Sequence, residues 1–144
     1  VALQHVDVPL GVFDYTVAGL MFLFIVYEMV ADIQHWNYQS AKWAKKNAGE
    51  TLTGDYKKGF LDKGLWAHSR HPNYFAEQSV WICFYFFSVA ASGEWLNWSA
   101  AGALLLVVLF QGSSNFSEEL SAAKYPEYAA YQKRVPRFIP FTKF

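Results

Sequence analysis

The chain has 144 residues, 12 Lys and Arg against 12 Asp and Glu, and a charged fraction of 17% beside 19% aromatics. That length suits one domain, and zero net charge argues against nucleic acid or an acidic partner. Soluble domains carry about 25% charged residues, so the balance leans toward a membrane protein.

Residues 1–9 read as an irregular lead-in. A start at Val1, with no methionine, charged n-region or cleavage site, reads as a processed or partial chain. Gly11 then opens an apolar run, Val12 to Val30, broken only by Asp14, Tyr15, Thr16 and Glu28. Its 19 residues match a membrane helix of about 17–25; the alternative is a buried helix of a soluble protein. Glu28, Asp32 and His35 are spaced i, i+4, i+7 and share one helix face, which either turns away from lipid or forms a solvated helix end.

From Asn37 to Lys63 the composition becomes polar, with Trp36, Tyr38, Trp43 and Tyr56 interleaved. Lys42, Trp43, Lys45 and Lys46 predict a short amphipathic helix at the headgroup level, and Thr53-Gly54-Asp55 and Lys58-Gly59 predict turns. A cationic loop follows, Gly64-Leu65-Trp66-Ala67-His68-Ser69-Arg70-His71, running into Pro72-Asn73-Tyr74-Phe75-Ala76-Glu77. Pro72 suits the first helical position, which makes His71 the cap and places Arg70 and His71 at a helix N-terminus. Free N–H groups, the dipole and a guanidinium converge there, as in sites for phosphate or carboxylate. Asn73 and Glu77, four apart, put an amide and a carboxylate on one face beyond that anion site. The plainer alternative has Arg70 and His71 snorkelling at a membrane interface and Glu77 filling a packing gap.

A second span is predicted over 72–91, rich in aromatics and holding the single cysteine, Cys83, as a buried hydrophobe. Ser92-Gly93-Glu94 turns the chain, Trp95 and Trp98 form an aromatic belt, and a shorter third span over 97–112 ends at Gln111-Gly112. Ser117–Lys124 and Pro126–Arg134 read as two short amphipathic helices that follow, and the prolines of the tail forbid a continuous helix there. The predicted fold is therefore all-α: an integral membrane bundle of about three spans plus interfacial helices. Every Lys and Arg lies between spans one and two or after span three, so the positive-inside rule is obeyed. It puts Arg70-His71, the Glu28-Asp32-His35 face and the Glu118-Glu119 pair at one surface, cytoplasmic or matrix, where a soluble nucleotide has access.

Ser69-Arg70-His71-Pro72-Asn73-Tyr74-Phe75, the preceding Gly64-Leu65-Trp66, Glu28-Met29-Val30-Ala31-Asp32-Ile33-Gln34, and Lys124-Tyr125-Pro126-Glu127-Tyr128 through Phe138-Ile139-Pro140 together resemble the C-terminal half of the steroid 5-alpha-reductase-like membrane proteins. The similarity covers almost the whole chain and is nearest to the branch with a Ser-Arg-His-Pro-Asn-Tyr motif. It implies NADPH held between membrane helices, with Asp32, Asn73 and Glu77 on the cofactor. Arg70 and His71 join them as the anion pair, and Tyr74 as their neighbour in the motif. Glu28, His35, Glu118 and Glu119 are further candidates, and no metal is implied. Two departures matter: Ala76 stands where the family has glycine, and the family's substrate pocket, catalytic acid and tyrosine lie on helices upstream of Val1. The catalytic residues are therefore unassigned.

The expected reaction is hydride transfer to a double bond of an apolar, lipid-like substrate flanked by Trp81, Phe84 and Tyr85. Isoprenylcysteine and phospholipid methyltransferases share an Arg-His-Pro-x-Tyr loop, a later Glu-Glu and a Tyr-x-x-Tyr to Val-Pro-x-x-Ile-Pro ending, which would place S-adenosylmethionine in the same pocket. Asp32, Gln34, Asn73 and Phe75 favour the reductase side. A third reading is a non-catalytic subunit held among membrane lipids and other membrane subunits. The expected location is the endoplasmic reticulum or mitochondrial inner membrane in a eukaryote, or the inner membrane in a bacterium.

Overall fold

The structure, a computed structural model, describes His5 and residues 7–142; most of residues 1–6, and Lys143 with its charge, lie outside the described residues. Among the described residues five helices follow in order: α1 (Val12–Asn47), α2 (Gly54–Lys58), α3 (Pro72–Ser92), α4 (Ser99–Lys124) and α5 (Tyr128–Arg134), with a 3-10 turn at Gly64–Ala67. The all-α expectation holds.

α1 runs without interruption through the boundary expected near Val30. Its 36 residues span about 54 Å, against roughly 30 Å of bilayer hydrocarbon. The separate amphipathic helix expected around Lys42–Lys46 is instead its last turns. The composition shift at Asn37 changes which solvent the side chains suit, but no glycine or proline there stops the backbone hydrogen bonding. α4 corrects the reading in the same way. Gln111-Gly112 lies inside it, and the predicted third span and the Ser117–Lys124 helix are one element. A mid-helix glycine costs only about 1 kcal/mol, too little to end a helix that packs along its length. Pro126 and Glu127 precede α5, which begins at Tyr128.

The three long helices alternate in direction. Phe13 near the start of α1 meets Phe86 late in α3 (centroids 6.2 Å), while Phe24 and Tyr27 meet Phe75 near the start of α3 (5.8 and 6.0 Å). Tyr74 in turn meets Phe110 of α4 at 4.6 Å. α3 starts on Pro72 after the His71 cap, as predicted, and ends at Gly93, whose left-handed φ of 72° suits glycine. Cys83 is buried.

Two helices, α1 and α4, are long and apolar enough to cross a membrane. Of the most apolar eighteen-residue window in each, only 11% and 6% is buried, whereas the core helix of a soluble domain is mostly buried. α3 is long enough at 21 residues, but it holds Glu77 and Gln78 and does not join them by the same measure. The compact core lies at one end, where Phe60, Tyr128, Tyr131 and Val135 pack together beneath the ends of α1 and α4.

Candidate functional site

The motifs that stand far apart in sequence interlock at that end. Gly64 has φ 63°, and a Cβ added to it would lie 2.5 Å from Gln34 Oε1, so glycine is required where the loop crosses α1. The same Gln34 oxygen accepts the Leu65 N–H at 2.9 Å. Trp66 donates its indole N–H to the Ala31 carbonyl (3.1 Å), and its ring stacks on His35 with centroids 4.9 Å apart. Burial lowers the His35 pKa and Lys42 adds to this, against the opposing charge of Asp32. Tyr131 donates its hydroxyl to the Trp66 carbonyl, and its own pKa is raised by burial, which keeps the proton on that oxygen.

Arg70 and His71 are held by a charged clamp. The Arg70 guanidinium donates from Nε to Glu118 Oε1 (2.7 Å), from Nη2 to Glu118 Oε2 (3.2 Å), and from Nη1 to the carbonyls of Gln132 and Val135 (2.7 and 2.6 Å). His71 Nε2 stands 3.0 Å from Glu118 Oε1, and Gln132 Nε2 donates to Oε2 at 2.9 Å. Burial alone would raise the Glu118 pKa, but the hydrogen bonds from His71, Arg70 and Gln132 and the Arg70 charge outweigh it and hold the carboxyl at about 2. The backbone is tied as well, since the N–H groups of Arg70 and His71 donate to the carbonyls of Pro136 and Arg137 (2.9 and 3.0 Å). An extended strap, residues 135–137, thus lies along the loop before α3.

Beside the clamp is a cleft of about 280 Å³ walled by the end of α1, the 3-10 turn, the start of α3 and the ends of α4 and α5. Arg70, His71, Asn73, Tyr74 and His35 line it. His71 and Tyr74 stack at 5.1 Å. Asn73 donates to Asp32 Oδ1 at 3.1 Å, joining α1 to α3 on an exposed rim. Glu77 lies one helical turn away from that rim and accepts the Trp81 indole N–H at 2.9 Å, with Glu28 of α1 as its other carboxyl neighbour. Glu118 is buried in the clamp, whereas Glu119 is exposed. Of the candidates, Arg70, His71, Asn73, Tyr74 and His35 meet in the cleft, Asp32 stands at its rim, and Glu28 with Glu77 forms a separate group along the α1–α3 contact. Ala76 has no exposed surface.

Sequence reading missed Gln39, which stands 3.3 Å from His35 on α1, and the far wall made by Ser117, Ser121, Tyr125, Tyr128 and Tyr131. A signal existed: Ser113, Ser117, Ser121 and Tyr125 recur every fourth residue, a polar stripe along one face of α4. Bounding the second helix at Ser117 and Lys124 left Ser113 and Tyr125 outside it and hid the stripe.

A family profile described as "Protein of unknown function (DUF1295)" matches residues 1–135. The chain is 40% identical over 137 residues to the uncharacterized protein C594.04c of Schizosaccharomyces pombe, covering 90% of the present chain and 40% of that protein's length. No solved structure matches the chain.

Proposed function

Because the chain belongs to the DUF1295 family, a steroid 5-alpha-reductase-like one, we propose that it forms the cofactor-binding part of a membrane-embedded, NADPH-dependent reductase of a lipid-like double bond. The observation that carries this reading is the cleft itself. Trp66, His71, Asn73 and Tyr74, all from the motifs behind the family resemblance, face one cavity at one end of a bundle whose helices α1 and α4 are each apolar over a span long enough to cross a membrane. In this reading α1, α3 and α4 cross the bilayer, and the polar ends of α1 and α4 project beyond it with the cleft. The 92–98 turn at the opposite end carries no Lys or Arg, in keeping with the positive-inside rule.

The cleft fits part of an elongated nucleotide. Its volume is just under the roughly 300–1,000 Å³ of small-molecule pockets, and it shares Tyr74, Ser117, Ser121 and Tyr125 with an adjoining hollow of about 490 Å³. Trp66 and Tyr74 offer aromatic faces, Asn73 an amide, and Ser117 and Ser121 hydroxyls. Arg70 serves by fixing the loop, since its donors go to Glu118 and two carbonyls. NADPH, when bound, supplies a hydride. Asn73 and Glu77 point the way from the aqueous rim toward the apolar helices, and Trp81 and Phe84 present exposed aromatic surface for an apolar substrate. The proton donor belongs to chain outside these residues or to a partner.

Titration of the purified protein with NADPH and, separately, with S-adenosylmethionine tests the reading through indole fluorescence. The expected result is quenching by NADPH, lost in Asn73→Ala, with no response to S-adenosylmethionine. The opposite pattern transfers the cleft to methyl transfer, and no response to either supports a non-catalytic membrane subunit.

A further inference from the structure

Around the cleft the lysines divide into two kinds. Lys45 pairs with Glu50, Lys58 with Asp62 and Asp55, and Lys63 with Asp55, so each of these ammonium groups has a carboxylate. Lys42, Lys46, Lys57 and Lys124 have no ion-pair partner among the described residues, and all four line one hollow of about 220 Å³ that contains no acidic residue. Lys42, Lys46 and Lys124 meet neutral neighbours instead. Lys42 donates to the Gly59 carbonyl (2.9 Å), Lys46 lies 4.9 Å from the Trp43 ring, and Lys42 and Lys124 lie 5.7 and 5.4 Å from the ring of Tyr125. Four like charges around one concavity repel each other unless an anion joins them.

This hollow adjoins the cleft. Gly59 and Tyr125 line both. Gly59 has φ 93°, and a Cβ there would stand 2.2 Å from the Tyr125 ring, so the two cavities meet at a backbone that only glycine allows. We infer that the hollow of Lys42, Lys46, Lys57 and Lys124 is a phosphate-binding subsite, which takes a phosphate monoester on the far end of the ligand held in the cleft. Lysine supplies compact point charges suited to a dianion, without demanding the flat bidentate partner that arginine prefers. Arg70, engaged with Glu118, leaves this task to the lysines. The assignment rests on the nucleotide reading of the cleft and adds the reason for a 2′-phosphorylated dinucleotide over its unphosphorylated counterpart.

The test is calorimetric binding of NADPH, NADH and inorganic phosphate to the intact protein in nanodiscs of neutral lipid, comparing wild type with a Lys46→Gln, Lys57→Gln, Lys124→Gln triple variant. These side chains are outside the clamp, and a matching Lys→Arg triple variant keeps the charge. The expected result is at least about tenfold weaker NADPH binding in the Gln variant, a shallower dependence on salt, unchanged NADH binding, and retention of NADPH in the Arg variant. Equal NADPH affinity in wild type and Gln variant overturns the subsite while leaving the cofactor reading standing. If NADPH does not bind wild type but inorganic phosphate does, and the Gln variant loses it, the cofactor reading falls and the subsite stands. If neither binds, both fall. Repeating the comparison in nanodiscs with phosphatidic acid distinguishes the lipid source: a variant that loses only its preference for that lipid assigns the hollow to headgroups and overturns the proposal.

Discussion

Arg70 and Glu118 meet through two parallel contacts, Nε to Oε1 at 2.7 Å and Nη2 to Oε2 at 3.2 Å, with side chains only 10% and 4% exposed. Removing one partner leaves the other charged and buried, which costs about 3–5 kcal/mol. Arg70→Ala is therefore expected to lower stability by an amount in that range, and Arg70→Lys to recover only part, because an ammonium cannot reproduce the fork or reach both carbonyls. Chemical unfolding in mild detergent measures it. A loss under about 1 kcal/mol for Arg70→Ala would show that the clamp is not needed for folding.

The same carboxyl sets an acid limit. Its pKa falls from 4.5 to about 2 on folding, so its contribution is complete above pH 4.5 and disappears as pH drops through the folded value. That shift corresponds to roughly 3 kcal/mol. Wild type should lose melting temperature between about pH 4.5 and 2, while Glu118→Gln, less stable at neutral pH, should change much less across the same window. Parallel curves for the two proteins would contradict this assignment.

Two glycines of similar φ give a contrast. Gly59→Ala meets the Tyr125 ring as well as the strain of positive φ, whereas Gly49, at φ 73°, has open space around it. We expect a loss of about 1–3 kcal/mol from overpacking at Gly59 beyond the roughly 1 kcal/mol of backbone strain at either position. Near-equal melting temperatures for the two variants would show that Tyr125 moves aside freely.

At the crossing of the 3-10 turn over α1, Gln34→Ala removes the acceptor of the Leu65 N–H, at a cost of about 1–3 kcal/mol if that group stays dry. Trp66 emission should shift to the red as the loop loosens from His35. Unchanged emission and stability would mean that water replaces the amide.

Topology is tested by labelling. Cysteines at Lys57 and Lys133 should react with an impermeant reagent from one side of the membrane, and one at Glu94 from the other. Labelling of Lys57 and Glu94 from the same side would remove α3 as a crossing.

How far the chain could be read from residues depended on the range of the interaction. Helix boundaries with local causes were legible: the start at Pro72 behind His71, and the end at Gly93. So was the clustering of charge at one end. Helix ends at Val30 and Gln111 were misplaced because composition marks a change of solvent, and α1 and α4 pass through that change with their backbone bonds intact. The clamp was illegible for a different reason. Arg70 in a cationic loop before a helix has the same sequence appearance whether it meets a ligand or Glu118, 48 residues away, and only packing distinguishes the two. Glu118 and Glu119 were likewise equivalent on paper until the helix turned one inward and one out.

The strap over the loop also sets an order of events during synthesis. Arg70 emerges from the ribosome 62 residues before Gln132 and 65 before Val135, the carbonyls that complete its shell. Until then its guanidinium has no finished home, and α3 begins at a cap whose backbone partners do not yet exist. A nascent chain stalled inside α5 would present an arginine and a glutamate, both built for a dry interior, to its surroundings. Such an intermediate is a natural client for cellular quality control, and a stop codon shortly before Val135 should shorten cellular lifetime.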